Sequence, residues 1–363
     1  MTELPLGCRS RHDPVTVGLY PSGVEFARFG STTWSDPVEV SHDASDLERG
    51  SWVVVVTFEG ELTAVRFAHR DEGGGAPGRA ERWPGVAGWR ASLDRAGYVA
   101  GVEEIRRRIA AGTVYQVNLT TMLETHLPPD AHLPDLAARL ARGNPAPFAG
   151  TVHVPSAGLD LVTASPERYV ARSGDRLLSS PIKGTAPTPE QMLTKDVAEN
   201  VMIVDLVRHD LQQVCSAGSV VVERLCAPEA HPGLVHLVSD VAGRLRPDVT
   251  WADVLGATFP PGSVSGAPKS SALQAIADLE TAPRGPYCGA LGWIERDDDG
   301  CATGELAVGI RTFCATTAPD GGRLLRFGTG AGITWSSDPE GEWAECELKT
   351  RVLMDLASGR VGP

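Results

Sequence analysis

Apolar and polar positions follow two different periods along this 363-residue chain, and the switches between them mark its elements. Before residue 70, GLYPSGVEF and SWVVVVTFEGELTAVRFA set Val, Thr, Phe and Trp between turn residues, which predicts short antiparallel strands. Gly, Pro and Arg then crowd Asp71–Ala87, a predicted loop or linker. From Ser92 to Ala111 the period lengthens. Leu93, Tyr98, Val102, Ile105 and Ile109 fall on one helical face, with Glu103 and Glu104 ahead of Arg106–Arg108. Gly112 closes this helix, and VYQVNLTTML returns to strand. Further helices are predicted at Leu133–Arg142, stopped by Gly143-Asn144-Pro145, at SSALQAIADLE (270–280) and at Trp343–Leu356. Another is predicted at Asp196–Val214, with Val197, Val201, Val204 and Val207 as its apolar positions. Strands are predicted at Gly150–Val154, Asp160–Ala164, Glu167–Arg172, Val220–Cys226, Tyr287–Glu295, Glu305–Thr316 and Leu324–Thr329. No internal repeat or low-complexity tract is found. The class is α+β, mostly antiparallel sheets with helices packed outside.

Composition narrows the setting. With 42% hydrophobic and 22% charged residues the chain is globular. Its densest apolar run, Trp52–Phe58, is far short of the roughly 20 residues a membrane span needs. The opening MTELPLGCRSRHD has no charged segment followed by an apolar one, so no signal peptide is expected. A formal charge of −13 argues against nucleic acid or an anionic membrane as the main partner. Seven scattered cysteines with no CxxC pair argue against a disulfide framework or a cysteine zinc site, and fit a reducing cytoplasm.

Lysine is scarce. Of 33 basic side chains only Lys183, Lys195, Lys269 and Lys349 are lysines. Arginine cannot replace lysine where a compact ammonium, or an amine able to lose its proton, is needed. Near the last lysine, Glu342, Glu345 and Lys349 share a helix face. Two readings stand: paired carboxylates for Mg²⁺, which takes one or two of them beside water and an anionic substrate, or an exposed salt-bridged face. Asp196 and Glu199 repeat the theme on another helix, followed by Asp205, Arg208 and Asp210. Two glycine-rich stretches, FPPGSVSGAPKS (259–270) and FGTGAGIT (327–334), read either as anion cradles or as ordinary turns.

In chain order, SPERYV (165–170), PIKGT (181–185), KDVAENVMIVDLVRHDL (195–211), VHLVSDVAGRL (235–245), FPPGSVSGAPK (259–269), RGPYCGALGW (284–293), GIRT (309–312) and GAGITWSSDPEGEWAECELK (330–349) resemble the motif series of the chorismate-utilising enzymes. That group includes anthranilate synthase large subunits, aminodeoxychorismate synthase component I, and isochorismate and salicylate synthases. The resemblance covers roughly 86–355, and all four lysines fall inside its motifs. It implies two orthogonally packed antiparallel sheets flanked by helices, an anthranilate synthase component I-like fold. Residues 1–85 would form a β-rich segment of that fold, and 86–363 its chorismate-binding catalytic part.

The resemblance also implies roles. Mg²⁺ on Glu199 and Glu345, with Glu342 adjacent, would hold one carboxylate of chorismate. Arg311 and Tyr287 would meet the other, with backbone N–H groups near Gly330, Ala331 and Ser265, and Lys349 completing the positive lining. Thr185 of PIKGT belongs to the same substrate-binding set. Gln116 stands where water-adding members carry a lysine base, which disfavours isochorismate or salicylate formation. Lys183 stands where anthranilate synthases carry Ala, and so matches the aminodeoxychorismate synthases. There Lys183 would attack ring position 2 as a neutral amine, diverting ammonia to position 4, with Glu167 protonating the leaving hydroxyl. A salt bridge between Glu167 and Arg168 is the plainer alternative. His236 matches a residue that helps eliminate pyruvate in anthranilate-type members and would here serve orientation. Lys195 and Lys269 would be charge partners of nearby acids or helix ends. Departures from the pattern are RHD for RND, Ser265 for Thr, and no LLES-like motif, so tryptophan inhibition is not expected. No nucleophilic-cysteine elbow is found, which implies a separate glutamine amidotransferase subunit as the ammonia source. The function expected is aminodeoxychorismate synthase, with anthranilate synthase and a non-catalytic chorismate-binding scaffold as rivals.

Overall fold

The computed structural model describes residues 23–73, 78–186, 188–192, 194–231 and 234–360. Among them the strands pair antiparallel throughout. Val221–His231 and Ile182–Ala186 both lie on Leu234–Arg244. Pairing then passes through Arg176–Ser180, Arg168–Ser173, Ala302–Val308 and Ala290–Arg296 to Gly50–Val56, Leu62–Glu72 and Thr32–Ser41. It turns at Phe26–Phe29 and runs on through Phe148–Val154, Leu159–Ser165, Thr312–Thr317 and Arg323–Ile333 to Gln116–His126. The sheets expected from the sequence are thus, among the described residues, two arms of one 18-stranded network.

Among the described residues six α-helices flank the arms: α1 (Arg95–Ala110), α2 (Leu133–Gly143), α3 (Thr194–Gln212), α4 (Trp251–Thr258), α5 (Lys269–Leu279) and α6 (Pro339–Ala357). Their starts follow local chemistry. The Asp94 side chain accepts the Gly97 N–H ahead of α1, and Asp338 accepts that of Gly341 ahead of α6. Thr250 and Asp253 form a reciprocal capping box at α4. On α2, Leu133, Leu136 and Leu140 bury one stripe against Leu353 and Leu356 of α6. Each such side chain contributes about 1.5–3 kcal/mol on leaving water.

Three expectations need correction. On α3, Val197 and Val201 are 41% and 45% exposed, while Ile203, Val204, Val207 and Leu211 are buried. The inward stripe runs through Asn200, whose amide donates to the Leu237 carbonyl at 3.0 Å and whose carbonyl accepts the Ser239 hydroxyl at 2.5 Å. A buried polar residue with both ends satisfied passes for a surface position in a hydropathy pattern. The stretch predicted as one strand over Glu305–Thr316 is two strands separated by Gly309–Arg311. Ala302–Val308 belongs to one arm and Thr312–Thr317 to the other, so the chain crosses between arms there. The tract read as a linker is partly packed: Leu62–Glu72 is strand, and buried Trp83 donates its indole N–H to the Ala357 carbonyl at 2.7 Å.

Among the described residues no helix is long and apolar enough to cross a membrane. Cys215, Cys226, Cys288, Cys301, Cys314 and Cys346 are free thiols.

Candidate active site

The strands Gln116–His126 and Arg323–Ile333 pair with Val117 opposite Ile333 and Asn118 opposite Gly332. That register sets Gln116 beside Gly332. A Cβ on Gly332 would lie 2.3 Å from Gln116 Nε2 and 3.1 Å from Lys183 Nζ, so glycine is what lets the amide and the amine share this spot. Gln116 is fully buried, and among the described residues neither its Oε1 nor its Nε2 has a partner. A buried amide left unmatched on both ends costs on the order of 1–3 kcal/mol per group, a cost that points to a ligand-facing position.

Lys183 keeps partial contact with solvent. Desolvation of the amine pushes its pKa below the usual lysine value, and Lys349 pushes the same way, against the carboxylates of Glu199, Glu167 and Glu345. Those carboxylates come from α3, from the start of the Arg168–Ser173 strand and from α6. The two acidic helices therefore converge on one amine, which sequence alone could not show.

Glu167 is 4% exposed. Burial raises its carboxyl to about 7, against the Ser263 hydroxyl, the Lys183 charge and the Ile182 N–H, all of which favour the carboxylate. It is not tied to Arg168. That guanidinium bonds Glu305 and the Ser180 hydroxyl, each at 3.0 Å, and lies 5.0 Å over the Phe148 ring. Ser263, which the motif reading passed over, thus hydrogen-bonds the Glu167 carboxyl. Its signal was only its place in the glycine-rich stretch.

Arg311 ends the crossover between arms with φ +54°, a left-handed conformation rare outside glycine. Its guanidinium makes no ion pair among the described residues; burial lowers its pKa, and one N–H donates to His236 Nε2 at 3.4 Å. A largely buried guanidinium without a carboxylate partner is a ready anion site. His236 is 2% exposed and lies opposite Thr185 in the sheet; the Thr185 side chain, like that of Lys195, lies outside the described residues.

Glu342 is buried, while Glu345 bonds Lys349 at 2.7 Å with both side chains about two-fifths exposed. Among the described residues no three His, Cys, Asp or Glu side chains form a metal-holding group. Glu199 and Glu345 still face the same amine, and two hard carboxylates suit Mg²⁺, whose other positions go to water and anionic substrate. The donor set fits that ion. Lys349 also donates to the Gly330 carbonyl at 3.2 Å. Gly330 and Ala331 lie within the ladder opposite Thr120 and Leu119, so FGTGAGIT is strand rather than turn or loop, and Gly332 is its site-facing glycine. The Ser265 hydroxyl donates to the Pro261 carbonyl at 3.0 Å, and the Ser265 carbonyl accepts the Asn118 N–H, fixing the approach to Gln116. In FPPGSVSGAPKS the N–H groups of Val264 and Ser265 are spent on turn carbonyls. The Tyr287 ring packs over Gly328, with Cys288, Arg284 and Cys346 as ionisable neighbours, and makes no bond to Arg311.

The model of the chorismate binding enzyme family matches residues 62–355. An aminodeoxychorismate synthase of Streptomyces griseus is 39% identical over 281 residues, covering 72% of this chain and 36% of that protein. An anthranilate synthase component 1 of Streptomyces coelicolor is 36% identical over 282 residues, covering 74% and 53%. The chain thus spans between about a third and about half the length of these curated relatives. Among solved structures, anthranilate synthase component I from Streptococcus pneumoniae superposes with a TM-score of 0.71 at 20% identity, covering 96% of this chain and 94% of that one. The menaquinone-specific isochorismate synthase of Escherichia coli gives 0.73 at 18% identity, covering 93% and 89%. Both carry the same fold.

Proposed function

The chain belongs to the chorismate binding enzyme family, and from that premise we propose that it is an aminodeoxychorismate synthase component, converting chorismate and ammonia to 4-amino-4-deoxychorismate. The observation that carries this reading is the Lys183 amine, biased toward its neutral form, beside Gln116 and Gly332 and within reach of a carboxyl biased toward its acid form.

Arg311 binds one substrate carboxylate. Glu199 of α3 and Glu345 of α6, with Glu342 one turn before Glu345, would hold Mg²⁺, which when bound supplies a Lewis acid against the other carboxylate. The Lys183 lone pair forms a bond to ring position 2, the ring double bonds shift, and the 4-hydroxyl departs as water with the Glu167 proton. Ammonia then bonds to position 4, the ring double bonds shift back, and the bond to Lys183 breaks with its electrons returning to the amine. The new group leaves as an ammonium, since an alkyl amine holds its proton at neutral pH. Gln116 carries an amide where a base would be needed to activate water, so ammonia prevails.

A glutamine amidotransferase would supply the ammonia, and free ammonium should replace it in vitro. The free thiols suit a reducing cytoplasm. The anthranilate rival has its own support, since anthranilate synthases are among the relatives. Intact-protein mass spectrometry with Mg²⁺ and chorismate but no ammonia should show an adduct on Lys183. Adding ammonium should release a product that keeps the enolpyruvyl group. Anthranilate as the product would overturn the reading, and an inactive protein that still binds chorismate would revive the scaffold alternative.

A further inference from the structure

Resting on that function, the chemistry leaves one debt unaddressed. Each turnover gives the Glu167 proton to the departing hydroxyl, and the product amine keeps all of its own. When nitrogen enters as neutral NH₃, one proton must therefore reach Glu167 from bulk water per cycle, and Lys183 bears on the carboxyl from the catalytic site.

We propose that this proton enters along Lys269, Asp210 and a single water held in a small cavity that also touches Glu167. The cavity measures about 20 Å³ and is lined by Glu167, Ser263, Ser179, Asp210 and Thr258. That is room for one water, and the lining is polar enough to hold it. At the far wall Asp210 accepts the Lys269 ammonium at 2.8 Å, and the same ammonium donates to the Thr258 carbonyl at 3.0 Å. The Lys269 side chain is 22% exposed and that of Asp210 only 7%, so the pair forms a conduit with one end at the surface. Gly262 brings the ends together: a Cβ there would lie 4.0 Å from Asp210 Oδ2, and its neighbour Ser263 bonds Glu167.

A proton passes from Lys269 to Asp210, from Asp210 to the water and from the water to the Glu167 carboxylate. Bulk water recharges Lys269, so one proton enters for each one spent and no group ends changed. The ionisable groups bearing on Asp210 are Lys269, His209 and the Tyr169 hydroxyl; those bearing on Glu167 are Lys183 and the Cys288 thiol. Burial raises Asp210 despite Lys269, which suits a carboxyl that takes and returns a proton.

The full chain with Mg²⁺, chorismate and ammonium provides the test. Asp210→Asn breaks the path. Ser179→Val fills the cavity and leaves the Asp210–Lys269 pair intact, and it serves if the first variant does not fold. Either should lower kcat about tenfold at unchanged KM, less than the hundredfold or more that losing a direct proton donor costs. Either should also enlarge the solvent isotope effect on kcat and make kcat rise with imidazole buffer concentration. If Ser179→Val forms the 4-amino product with a wild-type isotope effect and no buffer dependence, the path is wrong. If the wild-type protein forms no 4-amino product, the functional reading has failed and the path falls with it.

Discussion

Lys269 and Lys183 each stand near a buried carboxyl, and the two arrangements have opposite consequences. Lys269 bonds Asp210 directly, and its charge and hydrogen bond both pull against the burial that raises that carboxyl. Lys183 feels Glu167 through space and, among the described residues, bonds to no carboxylate. No bond between Lys183 and Glu167 offsets desolvation, and both drift toward their neutral forms. The same two residue types form a bonded pair in one place and, in the proposed mechanism, a separate nucleophile and acid in the other. Distance decides which.

Substituting the two lysines in parallel should separate the cases most widely. Lys183→Met should cut formation of the 4-amino product by about a thousandfold, roughly 4 kcal/mol of barrier, with a urea midpoint at or above wild type. Lys269→Met should do the reverse to the fold, costing about 3 kcal/mol in urea unfolding because it strands Asp210 in the interior.

Next in size is the response of Glu167 to pH. The carboxyl titrates near 4.5 when unfolded and about 7 in place, so between those values the folded state binds the extra proton. The stability present below 4.5 is therefore lost as pH rises to 7, on the order of 3 kcal/mol. Unfolding free energies at pH 4.5 and 8 should show that decline in wild type and lack it in Glu167→Gln, while activity falls. An equal decline in both proteins would mean the carboxyl is not strained. The smallest effect should come from Gly332→Ala, which crowds Gln116 and Lys183 and should lower kcat about tenfold with little change in melting temperature.

The legible parts of the fold are those fixed by local chemistry. The apolar period and the Gly143-Asn144-Pro145 stop placed α2 within a residue of its observed end. The break at Gly309–Arg311 was hidden because its cause is distant: a Cβ on Gly309 would lie 2.0 Å from the Pro286 carbonyl, and the flanking strands belong to different arms. The α3 stripe was misplaced because Asn200 is satisfied by Leu237 and Ser239, partners nearly forty residues along the chain. At the site, motif residues such as Lys183, Glu167 and Arg311 could be named in advance. Gly332 and Ser263 could not, since what marks them is the register of two strands and the packing of a loop against a carboxyl.

The Gly50–Val56 strand is zipped on one side to Leu62–Glu72 and on the other to Ala290–Arg296. A ribosome finishes the second partner only after most of the chain has emerged, roughly ten to fifty seconds later at about 5–20 residues per second. Until then the edge of SWVVVV stays open, and such an edge is where nascent chains cling to one another. Slow expression or a bound chaperone should therefore raise the soluble yield of this protein more than any change to its finished surface.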